Sequence, residues 1–203
     1  MQIPFKKIRT NFLKTLFFAL IPFVHTDAQP VKLIADKSHS TVGFSVAMMQ
    51  GLTRVTGKYT DFEIIITYKD SDITKSSIEA NIKAESINTG IAGRDQHLAT
   101  PDFFDAAKFP LITFKSDSIT KNGNGYIAHG SFSMHGINKK IQLPFTIVGK
   151  NGEGSVGFTS RYTIKRRDYL IGKDTLKPEG DGMLSDDVMV EIDFIAEKPK
   201  GEK

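Results

Sequence analysis

Arg94, Asp95 and His97 fall within four positions of one another in "TGIAGRDQHLATPDFFDAAKFP", residues 89–110. An imidazole with a nearby carboxylate is the pairing that general acid–base catalysis uses, the acid orienting the base. A structural reading competes with it. An arginine and an aspartate in a loop usually bond backbone groups or each other, and a lone histidine is more often a satisfied loop residue than a base. Elsewhere, His129 and His135 would share a face if one strand held both, but the glycine after His135 reads as a turn, which leaves a weak metal pair. Asp186 and Asp187 read as a solvated strand edge. The chain has no G-x-S-x-G elbow, no H-E-x-x-H and no Walker glycine loop. It also has no cysteine, which removes thiolate nucleophiles, disulfides, cysteine metal sites and a lipidated N-terminal cysteine.

The same stretch carries a helix signal. Thr100-Pro101-Asp102 offers a cap, a proline tolerated at the first helical position and an acid suited to the positive end of the dipole. Pro110 pushes Phe109 out of helical geometry and returns the chain to an extended segment. The spacing predicts a short helical excursion around residues 91–109, with Leu98, Phe103, Phe104 and Phe109 forming an apolar surface that closes or walls a larger body.

That body is made of strands. Period-two alternation puts Ile78, Ala80, Ile82 and Ala84 on one face and Glu79, Asn81, Lys83 and Glu85 on the other. The same pattern runs through Val42, Phe44, Val46 and Met48, and through Phe62, Ile64, Ile66 and Tyr68. It recurs at Ile112 and Phe114, along Tyr126 to Met134, Ile141 to Ile147 and Val156 to Ile164, and in Val188 to Ala196. "NGNG" at 122–125, "HGIN" at 135–138 and "GKNGEG" at 149–154 are hairpin signals. About eight strands joined by short turns are therefore expected, mostly antiparallel. A sandwich and a closed barrel both satisfy the pattern. Small residues on the apolar face (Ala80, Ala84, Ala128, Gly130, Ser160) leave room inside, and an eight-stranded barrel is wide enough for side chains or one small ligand. A tube of that kind suits a long apolar molecule.

The ends bound the setting. Lys6, Lys7, Arg9 and Lys14 precede an apolar run from Leu16 to Val24, followed by Thr26-Asp27-Ala28. This is the pattern of an export signal over 1–28, and the run is too short to span a bilayer. The 203-residue chain has a net charge of +4, and that segment holds four bases against one acid. Residues 29–203 are thus nearly neutral, with no basic stripe for nucleic acid, and are of a length for one domain. The polar end "EKPKGEK" reads as a frayed tail.

The chain resembles the YceI-like family of exported lipid-binding proteins. The motifs that carry the resemblance are "HSTVGFSV" (39–46), "VTGKYTDFE" (55–63), "NTGIAGRDQHLATPDFFDAAKFPLITFKS" (88–116), "GSFSMHGINKKIQLP" (130–144) and "RRDYLIG" (166–172). The resemblance implies an all-β fold, an eight-stranded antiparallel lipocalin-like β-barrel. It also implies a function: non-catalytic binding, sequestration or transport, outside the cytoplasm, of a polyisoprenoid (quinone-like) or fatty-chain lipid, with no cofactor. With the apolar rows as its inner wall, the barrel would set that lipid against Phe44, Val46, Met48, Ile82, Ala84, Phe114, Ala128, Phe132, Phe158 and Tyr162. At the excursion it would meet Arg94, Asp95, His97, Leu98, Phe103 and Phe104. Two positions depart from the family pattern: Met48 stands where a histidine is usual, and Leu170 where a glycine is usual. Met48 points to a more apolar or longer-tailed ligand. Two alternatives stay open. One is an enzyme acting on such a lipid with His97 as base and Asp95 as orienter. The other is an interaction module whose loop at 172–186 meets a membrane partner. The outer row of "LPFTIVG" (143–149) is the least polar outer face and the place for a homodimer.

Overall fold

A computed structural model describes residues 29–152, 154–172 and 183–199. The expected signal segment and most of the loop at 172–186 lie outside the described residues. The strands are β1 (Val31–Ala35), β2 (Thr41–Met48), β3 (Thr53–Tyr59), β4 (Phe62–Tyr68), β5 (Ser77–Lys83), β6 (Ile87–Asn88), β7 (Leu111–Asn122), β8 (Gly125–Met134), β9 (Ile137–Lys150), β10 (Val156–Lys165) and β11 (Leu184–Glu197). Every pairing is antiparallel.

These segments form eight continuous strands. β1 and β2 are one strand interrupted by a 3₁₀ turn at Lys37–His39; β3 and β4 are one strand broken at Thr60 and Asp61; β5 and β6 are one strand broken at Ala84–Ser86. Each strand pairs with its neighbours in sequence, and β1 closes on β11 through Ile34↔Glu197 and Ala35↔Ala196. The result is a closed, up-and-down barrel of eight antiparallel strands. Pairing the first strand with the last limits the exposed edges that are the liability of long one-sided strands.

The three interruptions lie side by side, and Asp61 joins them. Its carboxylate takes Lys37 Nζ at 2.9 Å from the first strand and Lys83 Nζ at 2.9 Å from the third. Its carbonyl accepts from Lys83 N at 2.9 Å. Three neighbouring strands thus bend at one level. The turns match the sequence signals: Gly123-Asn124 joins β7 to β8, and His135 and Gly136, both with positive φ, join β8 to β9.

One end of the tube is solid. Leu33, Ile66, Ala128 and Ala196 are at most 1 % exposed. Above them lies an aromatic layer, with Phe158 stacked on Phe194 at 4.9 Å, Tyr68 edge-on to Phe158 and Tyr126 stacked on Phe145. Aromatic pairs in such geometries contribute about 0.5–1.5 kcal/mol each beyond their burial.

The helix is not where its cap signal put it. α1 is Ala92–Leu98, and Thr100 lies past its end, where its Oγ1 donates to the His97 carbonyl at 2.8 Å. Residues 101–108 fold as successive turns instead. Asp105, with φ +45°, receives the amides of Lys108 and Phe109 on its carbonyl. The turns bring Phe103 and Phe104 down onto the barrel, which a continued helix would have carried past it. Phe109 then packs on Gly136, where a Cβ would come within 2.5 Å of its ring, and edge-on to His135.

Candidate functional site

The barrel encloses a cavity of about 380 Å³. Its floor is Phe145, Phe158 and Phe194, and its wall includes Val42, Phe44, Val46, Met48, Ile64, Ile78, Ala80, Ile82, Ile112, Phe114, Phe132, Met134, Ile141, Leu143, Tyr162, Ile164, Val188, Val190 and Ile192. These are the apolar rows of the alternation, brought together from all eight strands because period two points each row to one side. The 89–110 crossover lies over the other end, where Arg94, His97, Leu98, Phe103 and Phe104 reach the cavity, with Ile171, Met183 and Leu184 beside them. Tyr59 locks crossover to wall: it is edge-on to Phe104 at 6.3 Å and 6.1 Å from Phe44. Burial pushes its phenol pKa upward, so the group stays neutral. Gly57 makes that corner possible. It lies opposite Phe44 in the ladder, and a Cβ there would meet the Phe44 ring at 2.6 Å.

Three of the residues expected to face a ligand lie elsewhere. Ala84 is buried, but the strand has ended at Lys83. It opens a 3₁₀ turn with its amide on the Pro110 carbonyl at 2.9 Å, away from the cavity. Ala128 is wholly buried in the solid end. Asp95 turns toward the loop: its Oδ1 accepts from Thr89 N at 2.9 Å and Thr89 Oγ1 at 2.5 Å. The reading of Gly130 as inner space also changes. A Cβ there would come within 2.3 Å of the Lys115 carbonyl oxygen, so its smallness serves the close approach of β7 and β8 at the bulge between Ser116 and Ser118. The remaining candidates, Phe44, Val46, Met48, Ile82, Arg94, His97, Leu98, Phe103, Phe104, Phe114, Phe132, Phe158 and Tyr162, are all in the wall.

Polar side chains at the wall are engaged with protein. Arg94 donates from Nε to Thr89 Oγ1 at 2.7 Å and from Nη2 to the Thr89 carbonyl at 3.0 Å. Ser160 Oγ donates to the Pro144 carbonyl at 2.6 Å. Arg166, 3 % exposed, donates to the carbonyls of Ser185, Ile171 and Leu184 at 2.9, 2.8 and 3.1 Å. His97 is edge-on to Phe103 at 5.1 Å, and its Nε2 lies 3.6 Å from Asp102 with both side chains more than half exposed. It is therefore Asp102, across the turn, that faces His97, and the base–orienter pairing with Asp95 does not form. His129 Nε2 meets Thr120 Oγ1, and His135 Nδ1 meets the Tyr169 carbonyl, so the two do not converge.

Sequence reasoning missed Arg166, although its motif was in view, because a buried guanidinium held by three carbonyls has no periodic signature. It also missed the state of the β9–β10 seam. That ladder ends at Thr159↔Thr146, whereas β10 pairs with β11 along its whole length. Pro144 supplies no N–H at the next rungs, and toward the crossover end the two strands run on unpaired. The turn Arg166–Tyr169 bridges them there. Tyr169 is edge-on to Phe132, lies under Lys139 Nζ, and its carbonyl meets His135. Burial pushes its phenol pKa up to about 12. Lys139 also pairs with Asp168 at 3.0 Å.

Residues 34–196 match the YceI-like domain family. Protein YceI of Escherichia coli O17:K52:H18 is 26 % identical over 175 residues, covering 84 % of this chain and 89 % of that one. BcnA of Burkholderia cenocepacia has a similar structure, with TM-score 0.71 and 23 % identity over 80 % of this chain and 99 % of that one. A polyisoprenoid binding domain from Saccharophagus degradans, implicated in plant cell wall breakdown, superposes with TM-score 0.62 and 17 % identity, covering 84 % and 100 %.

Proposed function

The chain belongs to the YceI-like family, and from that premise we propose that it is a non-catalytic carrier, outside the cytoplasm, for the hydrocarbon chain of an isoprenoid or other amphiphilic lipid. The observation that carries this reading is a tube with a solid aromatic floor, walled by apolar side chains from every strand, whose polar neighbours bond to protein groups. Such a surface can bind hydrocarbon and little else. The polyisoprenoid binding domain with the same fold supports an isoprenoid chain as the occupant.

The volume sets a scale. At about 30 Å³ for each non-hydrogen atom, the share of a water in the liquid, the 380 Å³ cavity holds about 13 chain atoms. At about 0.8 kcal/mol per methylene, burying them contributes about 10 kcal/mol before ordering costs. The cavity therefore takes a chain of that length, or the end of a longer one. Affinity rests on hydrocarbon length, with no head-group contact required inside the tube.

The test is to purify the protein, denature it, extract with organic solvent and identify the extract by mass spectrometry. The expected result is a stoichiometric chain-bearing lipid, from the native host or after incubation with quinones. Recovery of no lipid from both preparations would overturn the reading.

A further inference from the structure

Two loop tips at the crossover end hold large apolar side chains in water on backbone that favours glycine. In the turn between β2 and β3, Met49 has φ +50° and is 47 % exposed, Gln50 has φ +55°, and Leu52 is 86 % exposed. After the turn Arg166–Tyr169, Leu170 has φ +55° and ψ +32° and is 54 % exposed. A bulky residue in the left-handed region is a genuine outlier, and it persists where something other than folding selects it. Neither tip gains the burial that would offset the strain.

The tips are neighbours, and both adjoin residues of the cavity wall. Met48 pairs with Leu184, the Leu184 carbonyl accepts from Arg166, and Arg166 also holds the Ile171 carbonyl, next to Leu170. Met49 N donates to the Met183 carbonyl at 2.8 Å. Met48, Ile171 and Leu184 line the cavity, while Met49, Leu52 and Leu170 point out beside them. Around the tips Lys165 pairs with Asp187 at 2.7 Å and Lys139 with Asp168, and Arg54, two residues past Leu52, donates to the Ser45 hydroxyl and carbonyl.

We propose that this strained apolar rim docks on the surface of a lipid bilayer and inserts Leu52, Met49 and Leu170 among the lipids, so that this end of the tube faces the membrane. The proposal rests on the carrier reading and adds where the cargo is exchanged. Each methylene of a chain of about 13 carbons lowers its solubility in water about four-fold, so its free concentration is minute and a carrier gains by meeting the membrane directly. Exposed apolar side chains enter the interfacial region of a neutral bilayer by the hydrophobic effect, which needs no charge attraction.

The experiment uses the chain beginning at Gln29, which contains every described strand, and compares it with the double variant Leu52→Ser, Leu170→Gly. Neither residue lines the cavity. In flotation with empty phosphatidylcholine vesicles, the parent is expected to float at both low and high salt, and the variant to lose at least five-fold of the floating fraction. Leu170→Gly alone is expected to melt at the same temperature as the parent or higher, because it relieves the left-handed strain, while floating less. Transfer of a fluorescent twelve-carbon fatty-acid probe from the vesicles should quicken with vesicle concentration for the parent and slow for the variant. Binding of that probe from aqueous solution should be the same for both. A parent that fails to float, or a variant that floats equally, overturns the docking; with no flotation, a protein occupant would take its place. Failure of the probe to bind the parent in aqueous solution would instead strike the carrier reading, leaving flotation to decide the rim.

Discussion

Arg94 donates twice to Thr89, at 2.7 Å to its hydroxyl and 3.0 Å to its carbonyl. Asp95 takes the remaining donors of the same threonine. The cluster that looks like chemistry in the sequence is a brace that fixes the step from β6 into the crossover. Its charges close on one another through one residue.

Arg94→Ala is therefore expected to cost about 1–2 kcal/mol of stability, in the range for hydrogen bonds to a charged group at a half-buried site. Amide exchange should speed up across residues 89–110 and little elsewhere. Thermal melts and exchange mass spectrometry check this. An unchanged melt with abolished lipid binding would make Arg94 a ligand contact instead.

Ala80 lines the cavity, whereas Ala128 is sealed in the solid end. Ala80→Phe should prevent lipid loading in a folded protein. Ala128→Phe should destabilise the fold by about 1–3 kcal/mol or more through overpacking. Circular dichroism and lipid extraction on both variants separate the two outcomes; equal loading of Ala80→Phe would mean that the cavity face is misassigned.

In a homologous series of saturated fatty acids, affinity should rise about four-fold per added carbon, from about 0.8 kcal/mol per methylene. It should level off near 13 chain atoms, where the cavity is full. Calorimetric titration from eight to twenty carbons checks this. A continued rise to twenty would require the chain to find further apolar cover, for which the unpaired β9–β10 seam is the place to look.

Acid should weaken the barrel. Asp61 lies below its usual pKa because Lys37 and then Lys83 donate to it; Asp70 because Lys150 and Tyr68 do; Asp193 because Arg161 and Thr159 do. A depressed carboxylate contributes stability that is present above its unfolded value of about 3.9 and is lost as pH falls through the folded value. The melting temperature should fall below about pH 4, and less steeply in Asp61→Asn. Lys83 and Lys150, raised by Asp61 and Asp70 respectively, contribute stability that is full below about pH 10.4 and lost above their folded values.

What the sequence determined by itself is whatever depends on neighbours along the chain. Alternation assigns each strand residue to the inner or outer row, because that needs only the two-residue period. Turn chemistry marks the hairpins at Gly123 and at His135-Gly136, because positive φ is local. Those two signals, with the family resemblance, yield the eight-stranded barrel and most of its wall. The Thr100-Pro101-Asp102 signal misled because it weighs only local capping, while the pull of Phe103 and Phe104 toward Tyr59 and the cavity is long-range. Only the tertiary structure decided how far along the tube each inward residue sits, and so whether a small one such as Ala80 opens space or one such as Ala128 is packed shut. It also decided the fate of the polar groups: Arg94 and Asp95 spent on Thr89, Arg166 on three carbonyls, His97 turned to Asp102. A hydrogen bond or a cavity is set by which distant segments meet, and closing a barrel fixes that meeting only once all eight strands are in register.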